Sequence, residues 1–263
     1  METAKPLLMV QFRADEKGKE LERVAIREKF TQSDGSAPDI IFRDAFDVRN
    51  DSFFARPEVS LSDFRGVILG GSAEFYFGGN SSPENEERHR MMLERVRPFI
   101  LYLFEHDVPT LGICFGHQLL ATFLGERVVA DPEQSESGSF PVRMTPEGQR
   151  DPLFAGVPDD WKAFFMHRDS ALRVPKEAVL LARGGRSHVG AFRYKTRIYG
   201  VQFHPELDRH DHEERVRLYP EYVSGSVEEF LSSLEWVPHA RKILWNFLSI
   251  SEEFAFEEVR IIR

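Results

Sequence analysis

Short apolar runs alternate with charged, helix-patterned stretches along the first half of this chain. Leu7 to Phe12 is an apolar run bounded by Pro6 and a charged segment, which predicts a buried first strand. From Asp15 to Phe30, apolar residues at 21, 24, 25 and 30 stand among many charges, as in a helix with one buried face. Asp39 to Phe42 predicts a second strand, and Val67-Ile68-Leu69 a third that stops at Gly70-Gly71. Ser82 as N-cap with Pro83 at the first helical position opens a helix toward Glu105, with a kink or restart at Pro98. Val108 to Ile113 then forms a strand leading straight into Cys114. Phe115 to Leu124 follows as a helix closed by Gly125.

Beyond this the pattern changes. Short β-like runs occupy 126–129, 140–144, 161–166, 178–183, 189–194 and 198–203, separated by turn signals; Gly184-Gly185 reads as a hairpin turn. After residue 207 the chain becomes charged and helical, with a capping box at Ser226-Val227-Glu228-Glu229 and a last amphipathic helix over 237–250. Strand–helix alternation with short connections predicts a three-layer α/β fold, a mainly parallel central sheet with helices on both faces. With no internal repeat or low-complexity linker, residues 1–263 are expected to form one domain, a core over about 6–207 and a helical part over about 208–263.

Composition narrows the function. The 34 Lys and Arg against 43 Asp and Glu leave a charge of −9, which argues against a general nucleic-acid binder. No run approaches the roughly 20 apolar residues of a membrane span, and the N-terminus lacks a signal-peptide pattern, so a cytoplasmic location is expected. Cys114 is the one cysteine, which excludes internal disulfides and multi-thiolate metal sites. It leaves two roles for that residue, a small buried hydrophobe or a nucleophile.

The surroundings of Cys114 favour the second. In Leu111-Gly112-Ile113-Cys114-Phe115-Gly116-His117-Gln118, glycine stands two residues before and two after the thiol. A nucleophile elbow, the sharp strand-to-helix turn that exposes its central side chain, excludes side chains at those two places. The helix from Phe115 would aim its dipole at the sulfur and favour thiolate. A base and an orienting group are found in Phe203-His204-Pro205-Glu206 at the end of an apolar run. Alternate residues of an extended backbone share a face, so His204 and Glu206 point the same way. Upstream, a strand ending in Gly70-Gly71 can offer an unhindered N–H to an oxyanion. Asp208-Arg209-His210-Asp211-His212 contains ligand types for a metal, but reads as a solvated acidic insertion.

In order and spacing, 43 residues from Gly71 to Cys114 and 90 more to His204, these pieces resemble a free-standing class I glutamine amidotransferase of the Cys-His-Glu type. The likeness covers about residues 6 to 207 and includes His167-Arg168-Asp169, similar to a segment that family places near the substrate. It implies a flavodoxin-like fold, Cys114 as nucleophile, His204 as acid and base, and Glu206 as its orienter. It implies the Gly71 and Phe115 N–H groups as oxyanion hole, and Gly70, Gln118 and His167 as substrate contacts. It calls for no cofactor or metal. The implied partners are glutamine or a γ-glutamyl substrate and an ammonia-accepting synthase subunit, not nucleic acid or membrane.

The loop after Gly71, Ser72-Ala73-Glu74-Phe75-Tyr76-Phe77-Gly78-Gly79, is bulkier and more aromatic than is typical of synthase-coupled members. Three readings therefore stand: hydrolysis of the glutamine γ-carboxamide, hydrolysis of γ-glutamyl peptides or conjugates by the same triad, and a catalytically silent binding module.

Overall fold

The structure is a computed structural model that describes residues 4–79, 82–223, 225–252 and 254. Its strands are β1 (Leu7–Gln11), β2 (Ile40–Asp44), β3 (Gly66–Leu69), β4 (Thr110–Ile113), β5 (Val128–Ala130), β6 (Glu136–Met144), β7 (Trp161–His167), β8 (Asp169–Ala171), β9 (Ala178–Arg183), β10 (Ala191–Tyr194) and β11 (Ile198–Val201). The α-helices are α1 (Glu16–Phe30), α2 (Asp51–Ala55), α3 (Pro57–Ser60), α4 (Pro83–His106), α5 (Phe115–Phe123), α6 (Arg209–Leu218), α7 (Val227–Ser233) and α8 (Lys242–Glu252).

Nine strands pair in the order β2-β1-β3-β4-β11-β10-β9-β6-β7. From β2 to β11 every pairing is parallel; from β11 to β7 every pairing is antiparallel. Alternation along β1 shows how the layers arise. Leu7 and Met9 face a core with Ile26 and Phe30 of α1 and Ile243, Leu244 and Phe247 of α8. Leu8 and Val10 face the opposite core, with Phe54 of α2, Met92, Val96 and Phe99 of α4, and Leu119 and Leu120 of α5. Strands buried on both faces are continuous apolar runs, which is why 7–10, 67–69 and 110–113 are legible as strands. The fold is the expected three-layer α/β arrangement with a mainly parallel central sheet.

Local differences have physical causes. On α1 the buried face is Glu22, Ala25, Ile26, Lys29 and Phe30, while Val24 is exposed. Buried charges hid that face from a reading based on apolar residues alone. Pro98 lies inside an unbroken α4, capped by the Ser82 side chain accepting from the Asn85 N–H. At α7 the Ser226 hydroxyl accepts from the Glu229 N–H, but the reciprocal capping box is formed at α6, between Asp208 and Asp211. The last helix starts at Lys242 rather than 237. The helical part anticipated over 208–263 lies outside the described residues beyond Phe254. Among the described residues no helix is long and apolar enough to cross a membrane.

The close approach of α5 to the strand ends fixes the geometry around Cys114. A Cβ on Gly116 would lie 2.2 Å from the Leu69 carbonyl oxygen, and one on Gly112 would lie 2.6 Å from the Gly116 carbonyl group. Both neighbours are backbone and cannot swing away. Gly116→Ala is therefore expected to cost about 2–3 kcal/mol. A urea titration should show a lower midpoint with an unchanged slope; an unchanged midpoint would mean that α5 is not held as tightly as described.

Candidate active site

β4 and β11 run side by side with Ile113 opposite Val201, so the segments leaving their carboxyl ends emerge together. Ligands of open α/β sheets collect at that edge. The Cys114 N–H donates to the Val201 carbonyl at 2.8 Å, and the Cys114 carbonyl accepts from the Gln118 N–H at 3.1 Å, starting α5. Between these two bonds the backbone turns through φ 51° and ψ −100° at Cys114 itself. That is a strained, left-handed conformation for a non-glycine residue.

The sulfur is buried, with the Met166 carbonyl 3.7 Å away and the Phe115 N–H against it. Burial, joined by the negative charge of Glu206, pushes the thiol up to about 12. Arg13, Arg215 and the Phe115 N–H oppose that rise without overcoming it. The helix-terminus effect expected to favour thiolate is real but loses to desolvation. The resting residue is a thiol.

His204 is held through its N–H to the Phe164 carbonyl at 2.8 Å, and its Nδ1 lies 2.8 Å from Glu206 Oε1. Both side chains are buried. Burial lowers the imidazole's proton affinity. Glu206 raises it, and Arg215 and Arg13 lower it further, leaving the ring neutral. With Nδ1 turned to Glu206, Nε2 is the nitrogen left to accept a proton. Burial alone would raise the Glu206 carboxyl, but His204 and Arg215 outweigh it and hold the group at about 2.

The two glycines at the end of β3 are less free than their sequence suggests. The Gly70 carbonyl accepts from the Gly116 N–H at 3.1 Å. The Gly71 N–H donates to Glu22 Oε1 at 3.0 Å. Glu22 is buried on α1, where Gln11 Nε2 (2.9 Å) and Arg13 Nε (3.3 Å) also donate to it. A Cβ on Gly71 would lie 3.1 Å from Arg13 Nη2 and 3.5 Å from His204 Cε1, so these groups crowd one spot.

Gln118 lines a small cavity at Cys114, with Nε2 donating to the Asp169 carbonyl at 2.7 Å. His167 borders the same cavity, but its ring nitrogens are engaged with the Asp169 carbonyl (3.0 Å) and Glu136 Oε2 (3.3 Å). Gly70 and Gly71 are not on its wall.

That cavity measures about 10 Å³, room for about one water molecule. Its roof is aromatic. The Tyr76 and Tyr222 hydroxyls are 2.8 Å apart and both donate toward the Ala73 carbonyl, at 2.6 and 3.2 Å. The Arg168 guanidinium stands 5.5 Å from one ring centre and 4.9 Å from the other. A wider cavity of about 370 Å³ lies elsewhere, lined by Lys29, Asp208, Arg209, Trp236 and Arg241. Its cations are spent on neighbours: Lys29 on Asp211, Arg209 on the Leu231 and Leu234 carbonyls, and Arg241 on the Lys29 and Thr31 carbonyls. It offers no reactive group to match Cys114.

The segment read as a solvated insertion is the largest departure from the sequence reading. It is α6, and its inner face buries His212, Arg215 and Val216. His212 stacks on Phe164 with ring centres 4.6 Å apart, and Arg215 reaches Glu206. Asp208 and Asp211 serve the helix cap and Lys29. Among the described residues no His, Cys, Asp and Glu cluster could hold a metal. The helical spacing of 212, 215 and 216 was the available signal for an inward face. The partners that Arg13 and Glu22 acquire come from tertiary contact and leave no local trace.

Residues 60–217 match the family described as Glutamine amidotransferase class-I. A glutamine-hydrolyzing GMP synthase subunit of Methanopyrus kandleri is 41% identical over 152 residues, 57% of this chain and 71% of that protein. Its counterpart in Pyrococcus furiosus is 34% identical over 137 residues, 52% of this chain and 67% of that protein. Against the GMP synthase of Aeropyrum pernix, 37% identical over 142 residues and 54% of this chain, the match spans only 24% of that protein. A solved glutamine amidotransferase from Thermotoga maritima superimposes with a TM-score of 0.69 over 97% of this chain and 100% of that one, at 19% identity. That last likeness concerns the fold.

Because Cys114 is the single thiol, thiolate absorbance of the whole protein reports it alone. Relative to a Cys114→Ser control, no thiolate signal should appear between about pH 6 and about pH 9. A signal developing below about pH 8 would show that the helix terminus outweighs burial after all.

Proposed function

This chain belongs to the class I glutamine amidotransferase family, and on that premise we propose that it hydrolyses the glutamine γ-carboxamide and passes the ammonia to a synthase partner. The observation that supports this reading is a buried carboxylate–imidazole pair at 2.8 Å just after β11, with a cysteine held at φ 51° on the strand–helix turn that leaves the neighbouring β4. A base oriented by a third group next to a nucleophile is the arrangement that acyl transfer through a thioester requires.

In this mechanism the Cys114 thiol gives its proton to His204 Nε2 as sulfur bonds to the γ-carbon. A resting thiol makes that transfer obligatory. The resulting oxyanion is held by the Phe115 N–H and by the Gly71 N–H once Glu22 releases it. His204 then protonates the departing nitrogen, the C–N bond breaks, and ammonia leaves a γ-glutamyl thioester on Cys114. A water molecule, deprotonated by His204, attacks that thioester. The C–S bond breaks, sulfur regains the proton, and glutamate is released. Side chains, substrate and water account for every proton and bond, so no cofactor is needed.

Kinship with proteins named as glutamine-hydrolyzing GMP synthase subunits supports a synthase as the ammonia acceptor. We take residues 1–263 as one domain, because α6 packs on α1 and reaches the triad carboxylate. The closed cavity is a resting arrangement in this reading: substrate enters when the 72–79 loop and the 219–222 segment part. Tyr76, Tyr222 and Arg168 at the mouth favour a second reading, in which a larger γ-glutamyl amide is accepted and its leaving group packs on those rings.

Glutamate release from glutamine and from γ-glutamyl dipeptides, with and without candidate synthases, separates the two. Cys114→Ser should lower either activity by about a thousandfold or more. Release from dipeptides alone would overturn the glutamine reading; a Cys114→Ser variant as active as its parent would overturn both. Tyr222→Phe removes hydroxyl contacts worth about 1 kcal/mol, so easier opening should raise kcat/KM for glutamine about fivefold. A fall instead would assign the hydroxyl to substrate binding.

A further inference from the structure

We infer that Arg215 is a positioning residue of the reaction, clamping the Glu206 carboxylate behind His204 from helix α6. This rests on the triad reading given above. Arg215 Nη1 lies 3.1 Å from Glu206 Oε1 and 3.4 Å from His204 Nδ1, so one carboxylate oxygen is gripped by both imidazole and guanidinium. Arginine and glutamate are 3% and 2% exposed at their side chains. An ion pair this dry is costly to assemble and weak evidence for stability alone, which directs attention to function.

The electrostatic need is specific. With His204 neutral, Glu206 is an anion in a dry interior that the imidazole cannot neutralise. Arg215 supplies the missing positive charge in the resting state. Without it, a carboxylate and imidazole this close would tend to take up a proton together, and His204 would cease to be a base. The pair is also left with open valences: Glu206 Oε2 and Arg215 Nη2 are buried with no hydrogen-bond partner. Position, rather than full saturation of bonds, is what the arrangement provides.

Helix α6 is anchored so that this one side chain stays in place. The reciprocal Asp208–Asp211 box starts it, and Lys29 Nζ of α1 binds Asp211 Oδ2 at 2.6 Å. Val216 is fully buried, His212 stacks on Phe164, and the His204 N–H bonds to that same Phe164. The charges facing His204 are few. Glu206 lies on its own segment, Arg215 comes from α6, and Arg13 follows β1. Glu22 of α1 reaches the same spot through Gly71. His212, also on α6, is held down at about 3, chiefly by burial, so it stays neutral.

The test uses the full chain with Arg215→Met, which removes the charge at similar bulk, and Arg215→Lys, which keeps the charge without the planar fork. Two readouts are followed: kcat/KM for glutamine against pH, and the His204 imidazole titration by NMR. Removing a nearby cation raises the imidazole's pKa. In Arg215→Met the acid limb of kcat/KM and the NMR titration should therefore both move up by about one pH unit, with kcat down about tenfold or more. Arg215→Lys should restore the parent titration within a few tenths of a unit and recover part of kcat. Loss of activity with an unmoved titration in Arg215→Met, or equal effects of Met and Lys on the titration, would overturn the inference and leave Arg215 a packing residue. If Arg215→Met does not fold, the Lys variant decides. A parent titration with reduced kcat supports the clamp, and a shifted titration or an unchanged kcat overturns it. A parent protein with no turnover of glutamine but with these NMR shifts would refute the glutamine reading and not the role of Arg215.

Discussion

No atom larger than hydrogen fits between α5 and the strand ends at Gly112 and Gly116, and the site depends on that contact. The Leu69 carbonyl sits where a Cβ of Gly116 would be, and the Gly116 N–H is bonded to Gly70 at 3.1 Å. Helix α5 is thereby seated directly on β3, next to β4. The chain must then turn within one residue to pass from strand to helix, and the strain of that turn falls on Cys114 at φ 51°. Burial of apolar side chains on both faces of the sheet supplies the stability that sustains it.

Once the turn is fixed, charge decides what the thiol can do. The charged groups that act on it are Glu206, Arg13 and Arg215, all buried, and Glu22 is buried against Arg13. Each anion has its cation: Glu22 with Arg13 at 3.3 Å, Glu206 with Arg215 at 3.1 Å. Burial works against the charge on Arg13, but Glu22, Tyr219, Glu74 and Glu206 together raise its affinity for the proton. Desolvation keeps the sulfur protonated and, aided by the two cations, keeps the imidazole neutral. The proton's resting place, on the sulfur rather than on the imidazole, is thus set by environment rather than by intrinsic chemistry.

The sequence made the covalent frame of the site legible and left its electrostatic frame hidden. Gly112 and Gly116 are readable because a steric requirement acts at fixed offsets from Cys114. His204 and Glu206 are readable as a base and a carboxylate two residues apart after an apolar run, although β11 ends at Val201 and the two side chains meet across a turn rather than along extended backbone. Glu22, Arg13 and Arg215 lie 92, 101 and 101 residues from Cys114 along the chain, and nothing local marks them as neighbours. Charged residues on amphipathic helices are normally solvated, so Glu22 on α1 and Arg215 on α6 look like surface until the partners that neutralise them are in place. The Gly70-Gly71 strand end was equally legible, but a glycine pattern reports room for a backbone N–H and not what already occupies it.

Helices α1 and α6 therefore carry more of the site than their composition suggests, and they do so jointly. Glu22 on α1 occupies the Gly71 N–H, and Arg215 on α6 grips Glu206. Lys29 of α1 binds Asp211 of α6 at 2.6 Å, and the Tyr219 hydroxyl just after α6 bonds Asp15 at the start of α1 at 2.5 Å. The carboxylate on the Gly71 N–H and the guanidinium on the Glu206 carboxylate thus belong to one packed pair of helices. Moving either helix strains the hold of the other, because buried charges tolerate little displacement from their partners. The Tyr76–Tyr222 contact closes the cavity from the segment following α6, so the roof of the site is joined to the same pair. The strained turn at Cys114 spans a few residues, whereas the charges that surround it are held in place by two helices packed against each other.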